Sequence, residues 1–256
     1  MSEIRIDALL PAEMAKRAEY IGVSKAEAPF LKVFFLSVLA YGVSRLLTGL
    51  VFCLGLILVI VGGAELFTGN NLIVMAWAGR KVTTAQLMRN WVIVYIGNFV
   101  GSLGTALLIF WSKQYTFGGG AVGTTALTIA NAKSGLDFWQ ALVLGVLCNA
   151  LVCLAVWLTF SARSTIDKIA AIIFPITAFV AAGFEHSIAN MYFIPVGLFI
   201  KAFDPAFTAS TSLDLTNLTW SNFFINNLIP VTIGNIIGGT VFVAAIYWLV
   251  FLRENK

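Results

Sequence analysis

Apolar and polar segments alternate along the chain in the way expected of membrane-spanning helices. Six apolar runs occupy residues 30–40, 46–63, 91–111, 138–160, 169–200 and 223–251. A helix needs about 20 apolar residues to cross the hydrocarbon core, and five of the runs have about that length or more. The first run has 11 residues, or about 16 Å of helix, so we count it as a shortened first span. The pattern predicts an all-α membrane protein with six transmembrane helices.

Composition and charge agree with this class. Of the 256 residues 59% are hydrophobic and 11% are charged, whereas soluble domains carry about 25% charged residues. With both termini in the cytoplasm, 12 of the 16 Lys and Arg residues fall on the inner side, as the positive-inside rule requires. The outer side then holds Arg45, Lys113, Lys133 and Lys201. The basic residues are spread between the apolar runs, so no nucleic-acid surface is predicted.

The two ends of the chain are expected to lie outside the membrane. Residues 1–29 contain acidic side chains and no continuous apolar stretch, so no signal peptide is predicted there. We expect a cytoplasmic helical segment, serving either as a plain anchor helix or as a gate or docking segment for a cytoplasmic partner. Residues 30–252 would form the transmembrane channel domain, and residues 253–256 a cytoplasmic tail.

The sequence offers little for metal or enzyme chemistry. The three cysteines, Cys53, Cys148 and Cys153, lie in apolar runs, and their spacing suggests neither a zinc site nor a disulfide framework. The chain contains a single histidine, and therefore no H-E-x-x-H motif. We predict no metal, no cofactor and no catalytic residues, and an intramembrane enzyme is the least favoured class.

Two short motifs occur twice in the same order. G-x-E-x-x-x-x-N stands at 63–70 and 183–190, and I-G-N-x-x-G stands at 96–101 and 233–238, with offsets of 120 and 137. Three spans per half is an odd number, so the halves would have opposite orientations. Such inverted repeats are typical of transporters, with the site near the midplane where the halves meet. The glycine spacing of the second motif also fits close helix packing alone.

The first repeated motif predicts a pair of broken helices. Gly, Thr, Ser and Asn are concentrated there in the middle of apolar runs, and irregular backbone at membrane depth is tolerated only where it is buried in protein or lines a cavity. Half-helices that begin at such a cavity present positive dipole ends. This arrangement favours an anion as the ligand.

His186 is the only histidine and lies inside an apolar run. Ionisable residues in the membrane are costly, which makes each one a candidate functional site. A small carboxylate crosses an apolar constriction more easily as the neutral acid than as the ion. Imidazole has an unperturbed pKa of about 6.5, so it can exchange protons near neutral pH. We therefore predict proton exchange with a small weak acid at His186, the alternative being a packing histidine.

Three stretches carry a family resemblance: A-E-L-F-T-G at 64–69, G-F-E-H-S-I-A-N-M at 183–191, and N-L-I-P-V-T-I-G-N at 227–235. They resemble the formate/nitrite transporter family over nearly the whole chain, and residues 247–255 are most similar to its formate-channel branch. The resemblance implies an aquaporin-like fold, homopentamers with one pore per protomer, and a bacterial inner-membrane location. It implies formate as the transported anion, with nitrite, hydrosulfide and other short monocarboxylates left open.

The resemblance also assigns roles to residues. His186 matches the central pore histidine, and Thr68 matches the threonine opposite it. The remaining matches are a pore asparagine at Asn149, a lysine lending positive potential at Lys133, supporting residues at Glu185 and Asn190, one constriction at Phe52 and Phe179, and another at Leu56, Leu66 and Phe67. Without the resemblance, Thr68 could be a local backbone cap, Lys133 a loop lysine, and Phe52 and Phe179 lipid-facing or core aromatics.

Glu185 directly precedes His186, so on a helix their side chains would point about 100° apart. We therefore expect Glu185 to bond to backbone donors or asparagines and not to form a dyad with His186. At the matching position the first half has Leu66 in place of His186. We expect one proton-exchanging group per pore.

One departure from the family concerns the first span. Family members have a complete first helix and an outer loop before the residues that match Tyr41, and about two dozen residues are absent here between Ala40 and Tyr41. We interpret the gap as a segment missing from this sequence, not as a deletion in the protein. This interpretation predicts a chain break, whereas consecutive Cα atoms about 3.8 Å apart would contradict it.

Four functions are compatible with these sequence features to different degrees. The first is a passive or proton-coupled formate channel, and the second is conduction of nitrite or hydrosulfide through the same kind of pore. The third is a neutral-solute pore like an aquaporin, which the buried His186 and the absence of paired N-P-A motifs disfavour. The fourth is the intramembrane enzyme already set aside.

Overall fold

A computed structural model describes the backbone of residues 30–253 and the side chains of residues 43–253. The predicted N-terminal segment 1–29 and most of the tail, 254–256, lie outside the described residues. The residues from Thr48 onward form one compact unit.

The described residues are helical, and no strand occurs among them. The helices are α1 (Phe30–Ile60), α2 (Ile73–Ala78), α3 (Thr84–Trp111), α4 (Ala121–Ser134), α5 (Phe138–Phe160), α6 (Thr165–Ala182), α7 (Ser187–Phe203), α8 (Pro205–Ser210) and α9 (Trp220–Phe251). Short 3-10 turns lie at Gly69–Leu72 and Gln114–Thr116, and α9 contains two π-helical turns, Phe223–Leu228 and Thr240–Ala245. The all-α prediction is confirmed for this part of the chain.

Within the described residues, five helices are long and apolar enough to cross a membrane: Val43–Ile60 within α1, and α3, α5, α6 and α9. Helix α7 has 17 residues and is apolar but shorter. These helices make the chain a multi-pass membrane protein. The count differs from the six predicted spans because run 30–40 and residues 46–60 of the next run fall within one helix.

Helix α1 is continuous over 31 residues and passes through Ala40 and Tyr41. The predicted chain break is therefore wrong. Both joined runs are apolar, and one helix continues through them. The helix ends beyond Ile60, where Gly63 adopts a left-handed φ of 78° that glycine tolerates at a helix C-terminus.

Both predicted helix breaks occur. In the first half, α1 ends before an irregular stretch at 61–68, and a 3-10 turn then leads into α2. In the second half, α6 ends at Ala182, Gly183 has φ 75°, and α7 begins at Ser187 with His186 as its N-cap. Each break therefore contains a left-handed glycine followed by a short non-helical segment. The interrupted backbone brings polar residues into the interior of the helix bundle.

Two glycines of the repeated I-G-N motif bring α9 close to α5. A Cβ on Gly234 would lie 2.1 Å from the carbonyl oxygen of Leu142, and one on Gly238 would lie 2.2 Å from that of Val146. No side chain fits at either position, which agrees with the close packing predicted from the glycine spacing. This contact fixes Asn235, between the two glycines, against α5.

The far end of α7 is anchored at Asp204. Its carboxylate accepts the N–H of Phe207 at 3.0 Å and the phenol O–H of Tyr115 at 2.8 Å. These two hydrogen bonds hold the pKa of Asp204 below its ordinary value, because both stabilise the charged form. The carboxylate is therefore charged at neutral pH and ties the α7–α8 junction to the turn that follows α3.

Candidate functional site at the helix breaks

His186 links the two breaks through its imidazole ring. Nδ1 accepts the N–H of Ala189 at 3.1 Å and so caps α7. Nε2 lies 2.9 Å from Oγ1 of Thr68 in the first break. Because Nδ1 is an acceptor, this network assigns the proton of the neutral ring to Nε2, which donates to Thr68. The ring is 6% exposed, so it is held from both sides in the interior.

Thr68 is fully buried and is positioned from behind by α5. Its carbonyl oxygen lies 3.2 Å from Nδ2 of Asn149 and 3.4 Å from Sγ of Cys153. The Asn149 amide is also within hydrogen-bond distance of Oδ1 of Asn71, at 2.9 Å, and of the carbonyl oxygen of Asn235, at 2.7 Å. Asn149 thus ties the first break to α9. The contact of Cys153 with Thr68 could not be predicted from the sequence, because a cysteine in an apolar run resembles any other small apolar residue there.

An apolar cavity of about 270 Å³ lies beside His186. Four of the five predicted constriction residues, Phe52, Leu56, Leu66 and Phe179, line it together with His186. The rings of Phe52 and Phe179 meet edge to face with centroids 5.6 Å apart, and Phe179 stacks on His186 at 6.0 Å. The other lining residues that carry polar side-chain groups are Ser102 and Tyr192. A small molecule in this cavity meets mostly hydrocarbon and one imidazole.

Phe67 does not line this cavity, although it was predicted beside Leu66 in a constriction. Its ring packs against Tyr95 at 4.9 Å and Trp91 at 5.8 Å, and it is 3% exposed. Its backbone N–H is bound by Oδ1 of Asn98 at 3.0 Å. That bond turns the residue towards α3 and leaves Leu66 on the cavity wall.

Glu185 lies behind the cavity in a buried polar cluster. Its Oε1 lies 2.7 Å from Nζ of Lys133, and its Oε2 accepts Nδ2 of Asn190 at 2.6 Å and Nδ2 of Asn227 at 3.2 Å. As expected, Glu185 bonds to asparagines and makes no bond to His186. Neither Lys133 nor Asn190 lines the cavity. The positive charge of Lys133 is offset by the carboxylate of Glu185 beside it, so the ion pair has little net charge.

The first half repeats this cluster without the lysine. Asn70 donates to Oε2 of Glu65 at 2.7 Å and to Oδ1 of Asn90 at 2.9 Å, as Asn190 does to Glu185 and to Asn227 at 2.7 Å. Asn90 and Asn227 were not selected from the sequence. Each stands six residues before the repeated I-G-N, so a search for N-x5-I-G-N would have found both.

A second matched pair of asparagines, Asn98 and Asn235, binds the backbone of the two breaks. Asn98 accepts the N–H of Phe67 and donates to the carbonyl of Glu65 at 2.9 Å. Asn235 accepts the N–H of Ser187 at 2.9 Å and donates to the carbonyl of Glu185 at 3.0 Å. Each side chain therefore satisfies backbone groups that the break removes from helical bonding.

Among the described residues no group of three or more His, Cys, Asp and Glu side chains could hold a metal ion. Of the titratable side chains selected from the sequence, His186 is the one that lines the cavity.

A family model described as formate/nitrite transporter matches residues 38–249. The chain is 44% identical over 275 residues to the formate channel FocA of Escherichia coli strain K12, covering 97% of this chain and 96% of the relative. It is 38% identical over 282 residues to a probable formate transporter of Methanothermobacter thermautotrophicus, covering 95% of this chain and 97% of the relative.

Solved structures have the same fold. One described as a pentameric formate channel with formate bound aligns with a TM-score of 0.75 and 46% identity, covering 83% of this chain and 85% of that one. Another, described as an FNT family ion channel, aligns with a TM-score of 0.67 and 32% identity, covering 80% and 77%.

The alignment with the E. coli relative also bears on length. It runs over 275 positions and includes 97% of the 256 residues, or about 248, so about 27 aligned positions have no residue of this chain opposite them. That number agrees with the two dozen residues predicted to be absent. The chain is thus shorter than this relative within the aligned region.

Proposed function

This chain belongs to the formate/nitrite transporter family, and from that premise we propose that it is a channel that carries formate across the membrane with proton exchange at His186. The observation that carries the proposal is the imidazole of His186 on the wall of an apolar cavity, bonded across the two helix breaks to Thr68. The names of the relatives and of the solved pentameric channel support formate as the anion.

The wall chemistry supports movement of the neutral acid. An isolated carboxylate loses its hydration among Phe52, Phe179 and Leu66, and burying an unpaired charge is far more costly than burying a neutral polar group. The N-terminus of α7 begins at His186 and carries a partial positive charge that attracts the anion to the cavity. Formate would approach as the anion and pass the phenylalanines as formic acid.

The hydrogen bonds of His186 set the order of the proton steps. A neutral ring cannot give up its Nε2 proton to formate without becoming an anion, so it must first hold two protons. The second proton enters at Nδ1, where it displaces the N–H of Ala189. Transfer of the Nε2 proton to a formate oxygen then leaves formic acid and a neutral ring protonated at Nδ1. Loss of that proton and renewed protonation at Nε2 restore the bond to Thr68.

Flux measurements in proteoliposomes test the proposal. Formate, nitrite, hydrosulfide and glycerol would be compared at one pH below and one above the unperturbed imidazole pKa of about 6.5. We expect formate flux that is faster at the lower pH, with glycerol flux no faster than in protein-free liposomes. Glycerol flux equal to formate flux would indicate a neutral-solute pore and contradict the proposal. Nitrite or hydrosulfide flux faster than formate flux would support an anion pore but would assign it a substrate other than formate.

We propose further that the two halves form an inverted repeat of three spans each, in the six-helix aquaporin-like arrangement. The matched hydrogen bonds of Asn98 and Asn235 support it, as do those of Asn70 and Asn190. Helix α1 joins the two runs counted as the first two spans, so three spans in the first half would require a turn between these runs. In this arrangement both termini are cytoplasmic, the protein lies in the bacterial inner membrane, and residues 30–252 form one channel domain.

A matched pair of cysteine variants tests the orientation. Ser112 follows α3 on the expected outer side, and Ser161 follows α5 on the expected inner side, both exposed. The native cysteines are buried. We expect Ser112→Cys, but not Ser161→Cys, to react with an impermeant maleimide added to intact cells. The reverse pattern would invert the topology, and equal labelling of both would contradict an odd number of crossings between them.

The pentameric assembly of the solved relative supports a homopentamer here as well. Large apolar side chains are exposed along α3, including Val92, Ile96 and Val100, and these can face lipid or a neighbouring copy. Light scattering corrected for detergent would give the mass of five protomers, and the mass of one protomer would contradict this assembly.

A further inference from the structure

A second cavity, of about 670 Å³, lies away from the candidate site where three helices end. It is formed by the end of α2, the turn into α3 and the last turns of α9. Trp77, Arg80, Lys81, Thr83 and Trp248 contribute to its wall, and no carboxylate does. We call these five residues and the space between them the tryptophan–arginine cleft. Because it sits at helix ends, it lies at a membrane face and not at the midplane.

The cleft carries two positive charges on a fixed turn. Arg80 and Lys81 are exposed, and neither makes an ion pair within the described residues. Arg80 has a left-handed φ of 57°. Its N–H donates to the carbonyl of Trp77 at 2.9 Å, and that of Lys81 donates to the carbonyl of Ala76 at 2.8 Å. The turn therefore fixes the backbone of both cationic residues at the cavity wall.

Neutral donors point to an anion in the same place. Trp248 is half-buried, and within the described residues its Nε1–H donates to no protein acceptor. Thr83 caps α3 and binds the N–H of Gln86 at 3.2 Å. The cap leaves the N–H of Thr84 at the positive end of a 28-residue helix, a position that suits a phosphate oxygen. Arg80, Lys81, Trp248 and Thr84 all line this one cavity.

We propose that the tryptophan–arginine cleft binds the phosphate of an anionic phospholipid headgroup. Tryptophan rings sit at the headgroup level of membranes, and basic pockets between transmembrane helices bind anionic headgroups. Arg80 supplies paired N–H donors for phosphate oxygens, Lys81 adds charge, and Trp248 can donate its indole N–H from α9. Trp77 is 45% exposed and offers its ring to the glycerol and upper acyl carbons. The two indoles favour a lipid over a soluble phosphate.

Native mass spectrometry of the purified protein in detergent tests the assignment with added phosphatidylglycerol. Phosphatidylcholine serves as the zwitterionic comparison and inorganic phosphate as the soluble competitor. The test variant is Arg80→Asn/Lys81→Gln, in which asparagine tolerates the left-handed backbone. The matched control is Arg89→Gln, since Arg89 is an exposed arginine of α3 outside the cleft.

The wild type and Arg89→Gln are expected to retain phosphatidylglycerol in preference to phosphatidylcholine. Each basic residue near the surface contributes about fivefold to anionic-lipid affinity, so the double variant is expected to bind about 25-fold more weakly. Trp248→Phe keeps an aromatic ring but removes the indole N–H, and it is expected to bind phosphatidylglycerol a few-fold more weakly. Equal binding by the double variant and Arg89→Gln would overturn the proposal. Displacement of the lipid by inorganic phosphate at equal concentration would assign the cleft to a soluble anion and overturn it too.

Discussion

Formate flux through His186→Phe is expected to fall at least about 100-fold at neutral pH, because positioned proton transfer contributes about 10² to 10⁴ in rate. The dependence of flux on pH is expected to disappear with it. Phenylalanine fills the same space beside Phe179 but cannot hold a proton. The measurement is formate uptake into proteoliposomes over a range of pH that brackets 6.5.

The control for this substitution is His186→Asn. The ring of His186 also caps α7 through the N–H of Ala189, and loss of an N-cap costs about 1 kcal/mol. Asparagine is a favoured N-cap and can replace that bond, but it does not titrate. We expect both variants to lose the pH-dependent flux, and only His186→Phe to lose thermal stability. Wild-type pH dependence in either variant would rule out the proton role.

Lys133→Met is expected to destabilise the protein by about 3 to 5 kcal/mol, because it leaves the carboxylate of Glu185 buried without its cation. The pair is 2.7 Å apart, and the side chains of Lys133 and Glu185 are 20% and 6% exposed. Asn190 and Asn227 still bond to the carboxylate, but amides carry no charge to offset it. The measurement is the thermal unfolding midpoint in detergent, where a large fall is expected.

The double variant Lys133→Met/Glu185→Gln separates the charge from the packing. The substituted glutamine keeps an oxygen for the amides of Asn190 and Asn227 and carries no charge to leave unpaired. We expect the double variant to recover most of the stability that Lys133→Met loses. Additive losses in the double variant would mean that the two charges do not depend on each other. The ion pair would then contribute little to the stability of the break.

Much of the site could be predicted because its determinants are local. The left-handed glycines Gly63 and Gly183 and the polar residues after them mark both breaks within a few residues of sequence. His186 is identified by its rarity in apolar sequence. Gly234 and Gly238 indicate a close helix contact by their spacing, and the structure has one there.

The direction of side chains within a break could not be predicted in the same way. A helix fixes directions by its 3.6-residue period, but residues 64–68 are not helical. Phe67 faces Trp91 and Tyr95 because its backbone N–H donates to Asn98, which lies 31 residues further along the chain. The pairing of Lys133 with Glu185 spans 52 residues and likewise depends on how α4 packs on α7.

The join within α1 was missed for a different reason. Two apolar runs separated by Tyr41-Gly42-Val43-Ser44-Arg45 resemble two short spans with a polar loop. A single glycine and one arginine do not end a helix when the sequence around them favours it. Glycine inside a helix costs about 1 kcal/mol, which the neighbouring helical residues offset.

The backbone hydrogen bonds of Asn98 and Asn235 affect which substitutions the two breaks can accept. Asn98 and Asn235 each hold the carbonyl before one position and the N–H after it, and neither bond uses the side chain at that position. The position so bracketed is Leu66 in one half and His186 in the other. In the inverted repeat proposed above, a single substitution at this position can exchange a hydrocarbon side chain for a titratable one while the surrounding backbone hydrogen bonds persist. The two halves thus provide two matching positions, Leu66 and His186, and of these two only His186 is titratable.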